Sequence, residues 1–179
     1  VKGRQIGIRG VVVDTAKANF THADNSTNMT VVGTIGDGAL SGYGYIQNGN
    51  IDATISGNAL PLTALSPIIG QDVDGTLNTS FAIQGTLDNP NVMGTVWGQE
   101  VHYKGARFNN IHGDIKLDNH ILTITNGHIG DGDGGYDVNG WYNLNTDVLD
   151  LNAKARAARI ENVIRTVTDV PITGWFETD

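Results

Sequence analysis

The sequence predicts an all-β fold, mostly antiparallel and interrupted by two short helices, on three observations. Turn and strand formers dominate: 24 Gly, 18 Asn and 18 Thr stand beside 16 Asp and only 3 Glu in 179 residues, a balance poor in helix formers. Apolar and polar residues alternate with period two, and the alternation restarts after nearly every Gly, Asn or Asp cluster. The turns between runs are short, so neighbours in sequence become antiparallel neighbours in space.

Taken in order, the alternation gives strands at Gln5–Val13, Thr15–Thr21, Asn28–Ile35, Ala39–Gln47, Asn50–Gly57, Asp72–Leu87, Asn91–Trp97, Val101–Lys104, Arg107–Leu117, His120–Thr125, Tyr136–Leu144, Val148–Arg156 and Ile172–Glu177. The longest is the clearest. Val73, Gly75, Leu77, Thr79, Phe81, Ile83, Gly85 and Leu87 share one face, and Asp74, Thr76, Asn78, Ser80 and Gln84 the other. Two stretches break the rhythm. Leu62, Leu65, Ile68 and Ile69, bracketed by Pro61 and Gly70, have helical spacing, as do Ile160, Val163, Ile164 and Val167 before Pro171.

Eleven Lys and Arg against nineteen Asp and Glu leave a formal charge of −8, which disfavours nucleic acid as a partner. Without Cys there is no disulfide framework, thiolate chemistry or Cys-ligated metal. No apolar run approaches the ~18 residues that span a bilayer, and Val-Lys-Gly-Arg-Gln is neither a signal peptide nor a start. The chain reads as one fragment, 1–179, of a longer protein whose anchor and export signal lie outside it.

An internal repeat links the two helices. Gly36-Asp37-Gly38, Gly42-Tyr43, the strand from Ile51, the first helix and Val73-Asp74-Gly75-Thr76-Leu77 form one series. Gly132-Asp133-Gly134, Gly140-Trp141, the strand from Leu149, the second helix and Ile172-Thr173-Gly174-Trp175-Phe176 form another. Residues 36–77 thus resemble 132–176 at a spacing near 98, the mark of an elongated stacked array.

Gly85-Thr86-Leu87-Asp88-Asn89-Pro90-Asn91-Val92-Met93-Gly94-Thr95-Val96 resembles the Gly-Thr…Pro…Gly junction of the TamB and AsmA-like families. The Leu/Ile helix before Val-Asp-Gly-Thr-Leu, the Ile111-His112-Gly113-Asp114-Ile115 strand and the Gly127–Gly140 stretch stand around it in the family's order. The resemblance implies a curved β-sheet folded into a half-pipe, the β-taco, with an apolar concave face. It implies a periplasmic segment of a protein anchored in the inner membrane. It also implies phospholipid transport between inner and outer membranes, outer-membrane protein assembly with a TamA- or BamA-type barrel bound through regions outside this fragment, or both.

On that reading the concave face is lined by Ile51, Ala53, Ile55, Val73, Leu77, Phe81, Ile83, Leu87, Ile111, Ile115, Leu117, Leu122, Ile124, Tyr136, Val138, Leu144, Leu149 and Leu151, facing phospholipid acyl chains. Leu62, Leu65, Ile160 and Val163 on the helices cap or narrow it. The competing expectation is a β-solenoid passenger or adhesin binding extracellular ligands, although solenoid coils recur every 20–30 residues rather than 98.

No catalytic constellation is present. Gly38-Ala39-Leu40-Ser41-Gly42 has the wrong spacing for a nucleophile elbow, and Gly42-Tyr43-Gly44-Tyr45 lacks the helix a nucleotide site requires. The chain is therefore expected not to be an enzyme and to carry no cofactor or metal. Gly130-Asp131-Gly132-Asp133-Gly134-Gly135 offers hard oxygens to calcium but lacks the spaced series of an EF-hand, so it reads as a turn. His22, His102, His112, His120 and His128 form no zincin motif; His102, His112 and His120 fall in or beside strands that would have to meet to hold a metal. Asn-x-Ser/Thr triplets, among them those beginning at Asn25, Asn28 and Asn78, are expected by chance in so Asn- and Thr-rich a chain. Trp97, Trp141 and Trp175 fall opposite the apolar face, either as a sugar- or peptide-binding platform or as side chains that cover the convex side, pack at an edge or line the mouth of the trough.

Overall fold

The computed structural model describes residues 1–8, 10–69, 72–159, 162 and 175–176. Its strands are β1 (Lys2–Ile8), β2 (Val11–Ala23), β3 (Ser26–Ile35), β4 (Gly38–Gln47), β5 (Asn50–Pro61), β6 (Val73–Thr86), β7 (Pro90–Tyr103), β8 (Ala106–Asp118), β9 (Ile121–Asp131), β10 (Gly134–Asn143), β11 (Val148–Arg156), β12 (Ala158–Arg159) and β13 (Trp175–Phe176). The first eleven form one curved, unclosed sheet in strict sequence order, every pair antiparallel. β12 and β13 pair separately.

Turn chemistry explains this order. Asp24-Asn25, Asn48-Gly49, Lys104-Gly105 and Asn119-His120 place both turn residues at positive φ, and Gly36 and Gly132 do so at the first residue of theirs. These are the primed two-residue turns whose twist matches that of a hairpin. Cross-turn amides tie adjacent hairpins at one end of the sheet. Asn25 Nδ2 donates to Asn48 Oδ1 at 2.5 Å, and Asn89 Nδ2 to Asn119 Oδ1 at 3.1 Å.

The register stacks apolar residues into rows that cross nine strands. One row runs Val31, Gly42, Ile55, Phe81, Gly94, Ile115, Ile124, Gly140, Leu151. Glycine recurs at every third place in it, for a steric reason. A Cβ on Gly94 would collide with the Ser80 carbonyl and the Phe81 ring, so the small residue lets the aromatic lie across the neighbouring strand.

Four bulge-like irregularities hold a non-glycine residue in the left-handed region: Ala59 (φ 48), Glu100 (φ 49), Asn126 (φ 51) and Ala157 (φ 44). The first three coincide with register shifts. Their freed donors are partnered across the strands: Ala59 N–H donates to Asn78 Oδ1 at 2.9 Å and Asn126 N–H to Asn139 Oδ1 at 3.0 Å.

Several expected elements differ. Gln5–Val13 is not one strand, because Gly10 at φ +88 breaks it between β1 and β2. Asn91–Trp97 and Val101–Lys104 are one strand, β7, carried through by the bulge at Glu100. Leu87 and Leu144 lie one residue past β6 and β10, where their N–H groups still donate to the Gly49 carbonyl at 3.0 Å and the His120 carbonyl at 2.9 Å. The first amphipathic helix is not seen as such. Leu62–Leu65 is a single 3-10 turn followed by a four-residue α-turn, α1 (Ser66–Ile69), because Pro67 removes the N–H that would continue a helix. The second helix, with Ile160 and Val163, lies outside the described residues.

Candidate functional site

The inner face of the sheet is the site. A second row, Met29, Gly44, Ala53, Ile83, Val92, Leu117, Leu122, Tyr142, Leu149, runs beside the first. Ile51, Ile55, Leu77, Phe81, Ile111, Ile115, Ile124, Tyr136, Val138 and Leu151 share this face by register with Ala53, Ile83, Leu117, Leu122 and Leu149. Leu87 and Leu144, expected here, lie one residue past the ends of β6 and β10.

The face is covered at one end and half-buried to exposed over the rest: Ala53 is buried and Phe81, Ile83, Ile115, Leu117 and Ile124 are half-buried. At the covered end Leu62, 5% exposed, packs with Val73 and Val101, and Leu65, Leu77, Tyr103, Phe108 and Ile111 surround them. The 3-10 turn thus lays two leucines on the sheet, and these carry the apolar burial there. Away from it Ile55 is 38%, Leu151 55% and Leu149 62% exposed. Among the described residues no second sheet covers this region. A shallow hollow of about 140 Å³, walled by apolar atoms, lies between Met29, Val31, Leu40, Ile51, Ala53, Ile55 and Ile83.

Asp131 ends the inner face at β9 and is fully buried. Its carboxylate accepts from Asn162 Nδ2 at 2.6 Å, Arg159 N–H at 2.8 Å and Tyr136 Oη–H at 3.2 Å. Those donors partner both carboxylate oxygens of Asp131, while Asp133, the other carboxylate of the Gly-Asp run, is exposed in the turn. The turn itself is Gly132-Asp133 alone. Period two already held the signal, since Asp131 falls on the face of Ile129.

The outer face is polar and aromatic. Trp97 and Trp141 are exposed there, as their alternation with Val96 and Tyr142 requires. His102, His112 and His120 do not meet. His102 lies 3.9 Å from Asp74, His120 sits in the turn before β9, and His112 stands opposite His128. His128 Nδ1 lies 2.9 Å from Asp137 Oδ1. That hydrogen bond holds the Asp137 carboxyl below its ordinary range, against the opposing effect of desolvation. Tyr142 is shifted the other way: its hydroxyl donates to Asp147 at 2.6 Å, which raises its pKa by stabilising the neutral phenol.

Met29, Val31, Leu40, Val92 and Tyr142 were not among the expected lining residues, although the alternation of their strands places them there. Among the described residues no helix is long and apolar enough to cross a membrane, and no group of three or more metal-ligating side chains occurs. No protein-family model matches the chain, and no curated protein and no solved structure matches it.

Proposed function

We propose that the chain is a periplasmic segment of a TamB/AsmA-like envelope protein, a non-enzymatic half-pipe whose inner face carries phospholipid acyl chains between inner and outer membranes. The observation that carries this reading is an apolar face crossing nine strands with no facing layer among the described residues. Eleven strands at ~4.8 Å give a surface about 48 Å long, and each methylene removed from water contributes ~0.8 kcal/mol. Chains slide along such a face while headgroups stay in water.

The repeat supports the same reading. Ala59 and Ala157, 98 residues apart, share a left-handed backbone. The pairs Ala158↔Phe176 and Arg159↔Trp175 reproduce Leu60↔Leu77 and Pro61↔Thr76 shifted by 98 and 99. An array extended in this way needs no catalytic residue, only apolar side chains at alternate positions.

The β-solenoid alternative fits less well, because stacked parallel coils are not what β1–β11 form. A second reading is addition of an outer-membrane client strand to the sheet during assembly with a TamA-type barrel. The two roles are compatible.

Native mass spectrometry of the chain purified from diderm bacterial cells tests the conduit. Copurifying phospholipid is expected. Ile55→Asp and Ile115→Asp, on the inner face, reduce it at least about tenfold, and Met93→Asp, on the outer face, leaves it unchanged. Apoprotein free of lipid, or equal loss in all three variants, overturns the reading.

A further inference from the structure

The outer face carries a hollow built around one indole. Trp97 on β7, 51% exposed, stands on that face with Gln99 two residues further on. Thr76 and Asp74 of β6 reach the same face as the register partners of Gln99 and His102. We infer that this hollow binds an uncharged glycan, the Trp97 indole stacking on a pyranose ring while the polar groups around it hydrogen-bond the ring's hydroxyls. Such a site is independent of lipid carried on the opposite face.

Two backbone irregularities make the hollow. Gln99 and His102 are three residues apart, and both face outward because Glu100 (φ 49) is an extra residue in β7, which also turns Val101 into the inner core. β6 meets that bulge at Gly75 (φ 120), where a Cβ would lie 2.8 Å from the Gln99 and Glu100 carbonyls. Glycine there lets the two strands stay close beside the bulge. The hollow, bounded by Pro61, Asp74, Thr76, Trp97, Gln99 and Glu100 among others, holds about 650 Å³, within the ~300–1,000 Å³ of small-molecule sites.

The lining chemistry selects the ligand. A pyranose offers an apolar C–H face and a rim of hydroxyls; an indole matches the first, and carboxylates and amides the second. Asp74 Oδ1 accepts from the Gly75 N–H at 2.7 Å, which orients the carboxylate and leaves Oδ2 at the surface, 3.9 Å from His102 Nδ1. Gln99 supplies both a donor and an acceptor.

Other ligand classes fit less well. No Lys or Arg lines the hollow, so phosphates and acidic sugars would meet Asp74 and Glu100 without a counter-charge. A single indole makes no aromatic cage for a quaternary ammonium. An extended peptide finds no free backbone here, because β6, β7 and β8 already pair with one another.

The test is calorimetric titration of the whole chain with the tetramer of N-acetylglucosamine and with cellotetraose, paired with nitrogen-15 spectra of the indole N–H groups. Saturable binding of at least one of the two is expected, with the Trp97 indole signal shifted and affinity unchanged between low and high salt, as an uncharged ligand requires. Trp97→Ala weakens binding at least about tenfold, Trp97→Phe, which keeps a ring, about threefold or less, and Gln99→Ala about threefold. Trp141→Ala, exposed on the same face but outside the hollow, leaves binding unchanged. Absence of saturable binding of either oligosaccharide, indole shifts confined to Trp141 or Trp175, affinity that survives Trp97→Ala, or binding abolished by high salt overturns the proposal. None of these outcomes depends on lipid binding by the inner face.

Discussion

Asp131 and Asn162 lie 31 residues apart and are joined by a 2.6 Å hydrogen bond at a carboxylate with no solvent exposure. The same Asn162 amide reaches the Arg107 carbonyl at 3.2 Å, so one side chain pins the chain beyond β12 to both β8 and β9. Where Leu62 ties the segment after β5 to the inner face by apolar packing, Asp131 ties the segment after β11 by polar bonds. Losing an acceptor here strands buried donors that water does not reach.

Asp131→Ala is therefore expected to destabilise the chain by about 3 kcal/mol, and Asn162→Ala by about 1.5–2 kcal/mol. The double variant costs less than their sum, because both remove one shared bond. Urea denaturation of the four proteins measures each value and the coupling.

Ala59 and Ala157 occupy a backbone region that costs an L-residue about 1–2 kcal/mol and glycine almost nothing. Ala59→Gly and Ala157→Gly each raise stability by about 1 kcal/mol in thermal unfolding. Asn78→Ala lowers it by about 0.5–1 kcal/mol, since it removes the acceptor for the Ala59 N–H.

Asp137 has a folded-state pKa below its ordinary 3.8, chiefly through the His128 hydrogen bond. The stabilisation is fully present above that ordinary value and disappears as pH falls through the lower folded one. Carbon-13 titration of the side chain finds it ionised below the unfolded midpoint, and His128→Gln moves the midpoint upward. Unchanged titration in that variant would place the cause elsewhere.

How far the sequence discloses the structure depends on what signal each feature leaves. Strand identity and face were readable because alternation repeats over many residues, so Ile55, Phe81, Ile115 and Leu151 were assigned to one side and share it. The break at Gly10 was hidden, because one glycine within an apolar run is also consistent with an unbroken strand. Bulges at Glu100 and Asn126 leave no composition cue, since each puts an ordinary residue in an unusual backbone state. The His112–His128 pairing needed the β8–β9 register counted through such a bulge. The role of Asp131 was masked by its neighbours, whose glycines speak for a turn although only Gly132 and Asp133 make it.

The strictly sequential strand order governs how the sheet is made and unmade. Every strand from β1 to β11 finds its partners immediately before and after it in the chain, so assembly waits on no distant stretch of polypeptide. The sheet grows like a zipper, one hairpin at a time, and tension on its ends would strip it in the same increments.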